Sequence, residues 1–134
     1  MDLLEGGNLK FQMRRHSNRF GMNASKFLIA CIILALEDIH GQNVLHRDVK
    51  PENLVFDNQG YLRLTDFGIS RLNEPNNRSS SGTPGYMSPE AINHQKQGFA
   101  SDFFAVGAIA YQLMLRHKPY TGDKVEVRKK INAG

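Results

Sequence analysis

The sequence predicts a mainly α fold with short β-hairpins. Three observations carry that expectation. Phe27, Leu28, Cys31, Ile32, Ala35, Leu36 and Ile39 recur at three- and four-residue steps, the spacing that lines up side chains on one helix face. A second apolar run, Phe103 to Leu115, is long enough for a helix, and Pro119 beyond it cannot continue one. Between the two, Asn53-Leu54-Val55-Phe56 and Tyr61-Leu62-Arg63-Leu64-Thr65 flank the turn Asp57-Asn58-Gln59-Gly60, the pattern of a hairpin.

In chain order, Gly6-Gly7 signals a turn and Leu9 to Arg15 predicts a short helix. Asn23-Ala24-Ser25 offers capping side chains ahead of the first long apolar run. Ile29 and Ile33 widen that run's apolar face, so the helix is expected to be central, with Gly41 ending it. Val44 to Phe56 reads as a loop with short strands around it. Asn73 to Ser81, with Pro75 and three consecutive serines, reads as an exposed loop. Asp102 stands at the expected start of the second long helix. Asp123 to Ile131 predicts a last helix with nothing further to pack against. No internal repeat is visible.

A chain of 134 residues suits one domain or one lobe of a larger one. With 40% hydrophobic and 22% charged residues, the composition is that of a folded protein rather than a disordered one. The longest apolar run, Phe27 to Leu36, falls short of the roughly 20 residues that a membrane span takes. The opening lacks a basic region followed by a long apolar stretch, so no signal peptide is expected. A net charge of +4 permits an anionic ligand such as a nucleotide. Arg14-Arg15-His16 and Arg128-Lys129-Lys130 read as solvated helix faces, so no nucleic-acid partner is expected. Cys31, the single cysteine, cannot form an internal disulfide; it fits a small core residue in a reducing, cytoplasmic compartment.

Three blocks carry chemistry: His46-Arg47-Asp48-Val49-Lys50-Pro51-Glu52-Asn53, then Asp66-Phe67-Gly68, then Ser88-Pro89-Glu90. In this order and spacing they resemble the catalytic loop, the metal-binding loop and the end of the activation segment of protein kinases. Five fixed positions in the first block alone would arise by chance roughly once in a few million, so the resemblance is specific where a lone Asp-Phe-Gly would not be.

The resemblance implies a protein-kinase-like fold, with residues 1–134 forming part of one domain: the large, C-terminal lobe only, truncated at both ends. It also implies ATP-dependent phosphorylation of serine or threonine on protein substrates, with Mg²⁺. Phosphoryl transfer needs positioning and charge neutralisation more than covalent help. Asp48 is then the base that orients the substrate hydroxyl. Lys50 offsets charge on the transferring phosphate, and Lys two residues after Asp marks the serine/threonine class. Asn53 and Asp66 supply the oxygen ligands that Mg²⁺ prefers. Within Gly82-Thr83-Pro84-Gly85-Tyr86-Met87-Ser88-Pro89-Glu90, Thr83 matches the threonine that contacts the catalytic carboxylate and lysine. Asp102 before Phe103-Phe104-Ala105-Val106-Gly107 matches an aspartate that holds the catalytic-loop backbone, and His46 with Phe67 would join an apolar spine.

Arg47 matches the arginine that pairs with a phosphorylated activation-loop residue. Ser79 stands where the AGC group of kinases carries its activating phosphosite, which implies an upstream activating kinase; Ser80 and Ser81 are its neighbours. The opening resembles the AGC hinge, with Met1 as gatekeeper, the backbone of Asp2 and Leu4 at adenine, Asn8 near the ribose, Val55 as apolar floor and Thr65 just before the metal aspartate. Glu52 is counted with these nucleotide-side residues. It is also one of the acidic positions that such kinases use toward basic substrates. Asn8 and Gln112 stand where others of those acids occur, and Glu5 and Glu37 do not replace them, so a strong preference for upstream arginine is not expected. The sequence contains no Gly-rich phosphate loop and no strand lysine with its helix glutamate. The isolated chain is therefore expected to be inactive, and Glu90 to lack its arginine partner. A non-catalytic, pseudokinase-like interaction module or truncated product is the alternative.

Overall fold

The computed structural model describes residues 7–16 and 20–134. The hinge positions Met1, Asp2 and Leu4, and the acid Glu5, lie outside the described residues.

Helix α1 spans Leu9–Arg15, and Asn8 caps it by accepting from Phe11 N at 2.8 Å. Its Leu9 and Met13, one turn apart, are buried, while Arg14 and Arg15 sit exposed at the C-terminal end, where cations suit the helix dipole. Helix α2 spans Met22–Gly41 and starts earlier than the capping residues predicted. Gly21 is its N-cap and no side chain caps it, so Asn23 and Ser25 lie inside the first turn. Leu28, Ile32 and Leu36 form its buried stripe at four-residue spacing. The stripe is narrower than the sequence suggested: Phe27 is 46% exposed and Ile33 41%.

The chain then makes β1 (Val44–Leu45), a 3₁₀ turn (Pro51–Asn53), β2 (Leu54–Phe56), β3 (Leu62–Leu64) and β4 (Arg71–Leu72). Strands β2 and β3 form the expected antiparallel hairpin, with Leu54 opposite Leu64 and Phe56 opposite Leu62. Its turn is set by Asp57, whose Oδ1 accepts from Gln59 N at 2.9 Å and Tyr61 N at 3.0 Å. Strands β1 and β4 pair antiparallel, Val44 with Leu72, and so tie the two ends of the motif-bearing segment together.

Helix α3 spans Pro89–Ile92, capped by Ser88. Helix α4 spans Phe99–Leu115, four residues longer at its start than expected. Asp102 is consequently inside the first turn and is not a cap; Gly98 holds that position. Helix α4 packs on α2, with Ala105, Ala108 and Ile109 in the same core as Leu28, Ile32 and Leu36. Helix α5, Lys124–Asn132, is capped by Asp123. It does find a partner: Val127 is buried against Met87, Ala91 and Ile92, and the Arg128 guanidinium donates twice to Ile92 O. Among the described residues no helix is long and apolar enough to cross a membrane.

Candidate functional site

The loop after β1 is held from below by one buried carboxylate. Asp102, 2% exposed, accepts from His46 N and Arg47 N, each at 2.9 Å, and lies 2.8 Å from His40 Nε2. Backbone N–H groups and an imidazole together make a buried carboxylate tolerable where it would otherwise be costly. The grip explains how Arg47 keeps φ of +74°, a left-handed conformation that a side chain disfavours. It also presents the next residue, Asp48, on the far side of the loop.

Asp48 is fixed by three neighbours. Thr83 Oγ1 donates to Asp48 Oδ1 at 2.9 Å and accepts from Lys50 Nζ at 2.9 Å. Lys50 Nζ also lies 3.4 Å from Asp48 Oδ2. Asn53 Nδ2 donates to Asp48 O at 2.9 Å and reaches Oδ2 at 3.4 Å. The bond to Thr83 requires close approach of the activation segment. Gly82 makes it possible, because at φ +126° a Cβ there would stand 2.8 Å from Arg47 O.

Asp66 joins this group through its neighbour. Thr65 donates from N and Oγ1 to Asn53 O at 2.8 and 3.0 Å, and His46 Nε2 meets Thr65 O at 2.8 Å. Asp66 itself has φ of +57° and an exposed side chain whose Oδ1 accepts from Gly68 N at 3.2 Å. The structure therefore joins Asp48, Lys50, Thr83 and Asn53 directly, and Asp66 by way of Thr65. His46 and Phe67 meet edge to face, ring centroids 5.1 Å apart.

On the nucleotide side, Asn8 caps α1 through its Oδ1. Glu52 is paired with Lys10 at 3.1 Å. Val55 is half-buried in β2, opposite Arg63 and bridged to Asn8. Glu90, expected to lack an arginine partner, has none among the described residues; it accepts from Ser101 Oγ at 2.7 Å.

Arg47 Nη2 donates to Ser79 Oγ at 2.5 Å, while its buried Nε has no partner among the described residues. Burial first, then the nearby Arg71, lower its pKa below the usual arginine range, with Asp102 acting in the opposite sense. Arg47, Arg71, Arg78 and Ser79 line one cavity of about 510 Å³. The segment is pinned from elsewhere too: Gln97 Nε2 donates to Ser79 O, and Lys124 Nζ donates to Ser80 O at 2.7 Å. Ser80 Oγ is buried, whereas Ser79 and Ser81 bond each other at 2.9 Å. His40, Gln97, Ser101 and Lys124 carry no motif, and only the tertiary fold brings them here.

A family model of the protein kinase domain matches residues 1–133. The chain belongs to the protein kinase domain family. Among its relatives, the cAMP-dependent protein kinase catalytic subunit of Dictyostelium discoideum is 39% identical over 134 residues, covering 99% of this chain and 20% of that protein. The serine/threonine-protein kinase AtPK1/AtPK6 of Arabidopsis thaliana is 35% identical, covering 98% of this chain and 28% of the relative. The cAMP-dependent protein kinase type 3 of Saccharomyces cerevisiae is 34% identical, covering 90% and 30%. This kinase chain thus spans between 20% and 30% of the length of these curated relatives. Their serine/threonine class agrees with Lys50 and Thr83, and the cAMP-dependent members agree with the AGC-like reading of its motifs.

Proposed function

We propose that residues 1–134 form part of the large lobe of a serine/threonine protein kinase and supply the groups that act on the acceptor hydroxyl. The observation that carries this reading is the triangle in which Thr83 bonds both Asp48 and Lys50. It aims one carboxylate and one ammonium at the same point. Asp48 orients a serine or threonine hydroxyl and accepts its proton as the oxygen attacks phosphorus. Lys50 offsets the charge on the transferring group, and the bond that breaks releases ADP.

Bound ATP supplies the phosphoryl group, and Mg²⁺ screens its oxygens. The residues fit the ion. With Asn53 Nδ2 committed to Asp48, its amide oxygen remains as a ligand, and the Asp66 carboxylate is exposed with lone pairs to spare. Val55 offers an apolar surface to the base, with Asp2 and Leu4 as the hinge contacts. Ser79 is the candidate acceptor for an upstream kinase. The unpartnered Arg47 Nε and the arginine-lined cavity support it, since a guanidinium fork suits phosphate oxygens.

The test is transfer of labelled phosphate from Mg-ATP to a generic protein substrate, by a two-lobe protein in which these residues form the large lobe. Asp48→Asn and Asp66→Asn are each expected to abolish transfer; full activity in either variant would overturn the assignment. A second reading, a non-catalytic interaction module, is favoured by one observation: an apolar groove between α2 and α4 lined by Met22, Ile29, Ile33, Ala110 and Met114. Native protein that transfers nothing under the same conditions would select it.

A further inference from the structure

We infer that the surface beside Asp48 takes serine or threonine segments flanked by acidic or neutral side chains and disfavours those flanked by arginine or lysine. The inference rests on the reading of Asp48 as the group that orients the acceptor. From Thr83 the chain runs directly into the 3₁₀ turn Pro84–Tyr86. The Tyr86 hydroxyl donates to Gln112 Oε1 at 2.6 Å, and Lys118 Nζ stands 5.2 Å from the Tyr86 ring centroid. The Lys118 stem also packs on Gly85, where a Cβ would meet its Cδ at 3.2 Å. The charge of Glu52 is felt there: after burial, it is the next influence raising the Tyr86 pKa.

The charges on this face do not balance. Asp48 is offset by Lys50 at 3.4 Å, and Glu52 by Lys10 at 3.1 Å. Gln112 is neutral. Lys118 has no carboxylate within ion-pair distance among the described residues. An arginine approaching Glu52 must displace Lys10, and one approaching Tyr86 meets Lys118, a like charge. A glutamate or aspartate pairs with Lys118 and breaks no ion pair among the described residues.

Fluorescent peptides with a central serine, one with glutamate flanks and one with arginine flanks, are titrated with the chain at low ionic strength. Anisotropy is expected to show the acidic peptide binding about 10-fold tighter, with the ratio shrinking as salt is added. Lys118→Ala should lower that ratio at least about threefold and Lys118→Glu further still. Lys26→Glu, on the α2–α4 groove, should leave it unchanged. Equal or tighter binding of the arginine peptide, no binding of either, or equal effects of the Lys26 and Lys118 charge swaps would overturn the inference. The last outcome would mean simple attraction to a chain of net charge +4. Because no phosphate transfer is read here, an acidic preference without phosphorylation would count against the proposed function alone. Phosphorylation with an arginine preference would count against this inference alone.

Discussion

Replacing Asp102 by alanine removes the acceptor of three groups at once: His46 N–H, Arg47 N–H and His40 Nε2. The site is 2% exposed, so water reaches the stranded donors poorly. Each buried donor left unsatisfied costs about 1–3 kcal/mol, and partial relaxation brings the expected total to about 4 kcal/mol. Asp102→Asn keeps one acceptor oxygen and nearly the same volume, and its expected cost is about 2 kcal/mol. At a urea dependence of about 2 kcal/mol per molar, the unfolding midpoint should fall by about 2 M for alanine and about 1 M for asparagine. Circular dichroism in a urea series reads the midpoints. Hydrogen exchange read residue by residue should show the His46 and Arg47 amides losing protection before the rest of the core. A midpoint for Asp102→Ala within about 0.3 M of native, or unchanged protection of those two amides, would refute the view that this carboxylate holds the loop.

Thr83→Val should lower phosphate transfer by the two-lobe protein about 10- to 100-fold, the equivalent of losing a hydrogen bond to charged partners, while Thr83→Ser should retain most activity. Gly82→Ala should destabilise the chain by about 1–3 kcal/mol, measured by thermal melting, because its φ and the nearby Arg47 carbonyl both oppose a Cβ. Burial, then the charge of Glu52, outweigh the hydrogen bond to Gln112 and hold the Tyr86 pKa well above the ordinary phenol value. A folded value above the unfolded one means that this stabilisation is complete below about pH 10 and is lost as pH rises past it. Ultraviolet titration should accordingly find one of the four tyrosines ionising late, and Tyr86→Phe should remove both that step and part of the alkaline loss of stability.

The parts of the fold visible in the sequence were those set by local rules. The β2–β3 hairpin followed from its turn, with strand ends off by one residue, and the span of α1 was read to the residue. The start of α4 was misjudged because Phe99 to Ser101 precede the apolar run, and an aspartate resembles a cap until its carboxylate is seen facing another loop. The breadth of the α2 apolar face misled in the other direction: Phe27 and Ile33 read as core from their chemistry, yet both stay exposed. Within the site, the motif residues announced themselves, including the Thr83 bridge and the Arg47–Ser79 contact. Their supports did not, since His40, Ser101, Gln97 and Lys124 are ordinary residues whose value comes only from the company they keep. The pairing of Glu52 with Lys10 was equally hidden, because it joins positions 42 residues apart.

The segment from Asn73 to Ser80 is held by backbone bonds at Asn73 and Asn77 and by side chains at Ser79 and Ser80, while Arg78 between them is exposed. A tryptic nick after Arg78 would therefore divide the polypeptide without dividing the molecule. Asp48, Lys50 and Asn53 would belong to one fragment, Thr83 and Asp102 to the other, and the α2–α4 packing would keep the fragments docked. Two bands on a denaturing gel would then elute as a single species from a sizing column, with the Asp48–Lys50–Thr83 cluster assembled by complementation between separate peptides.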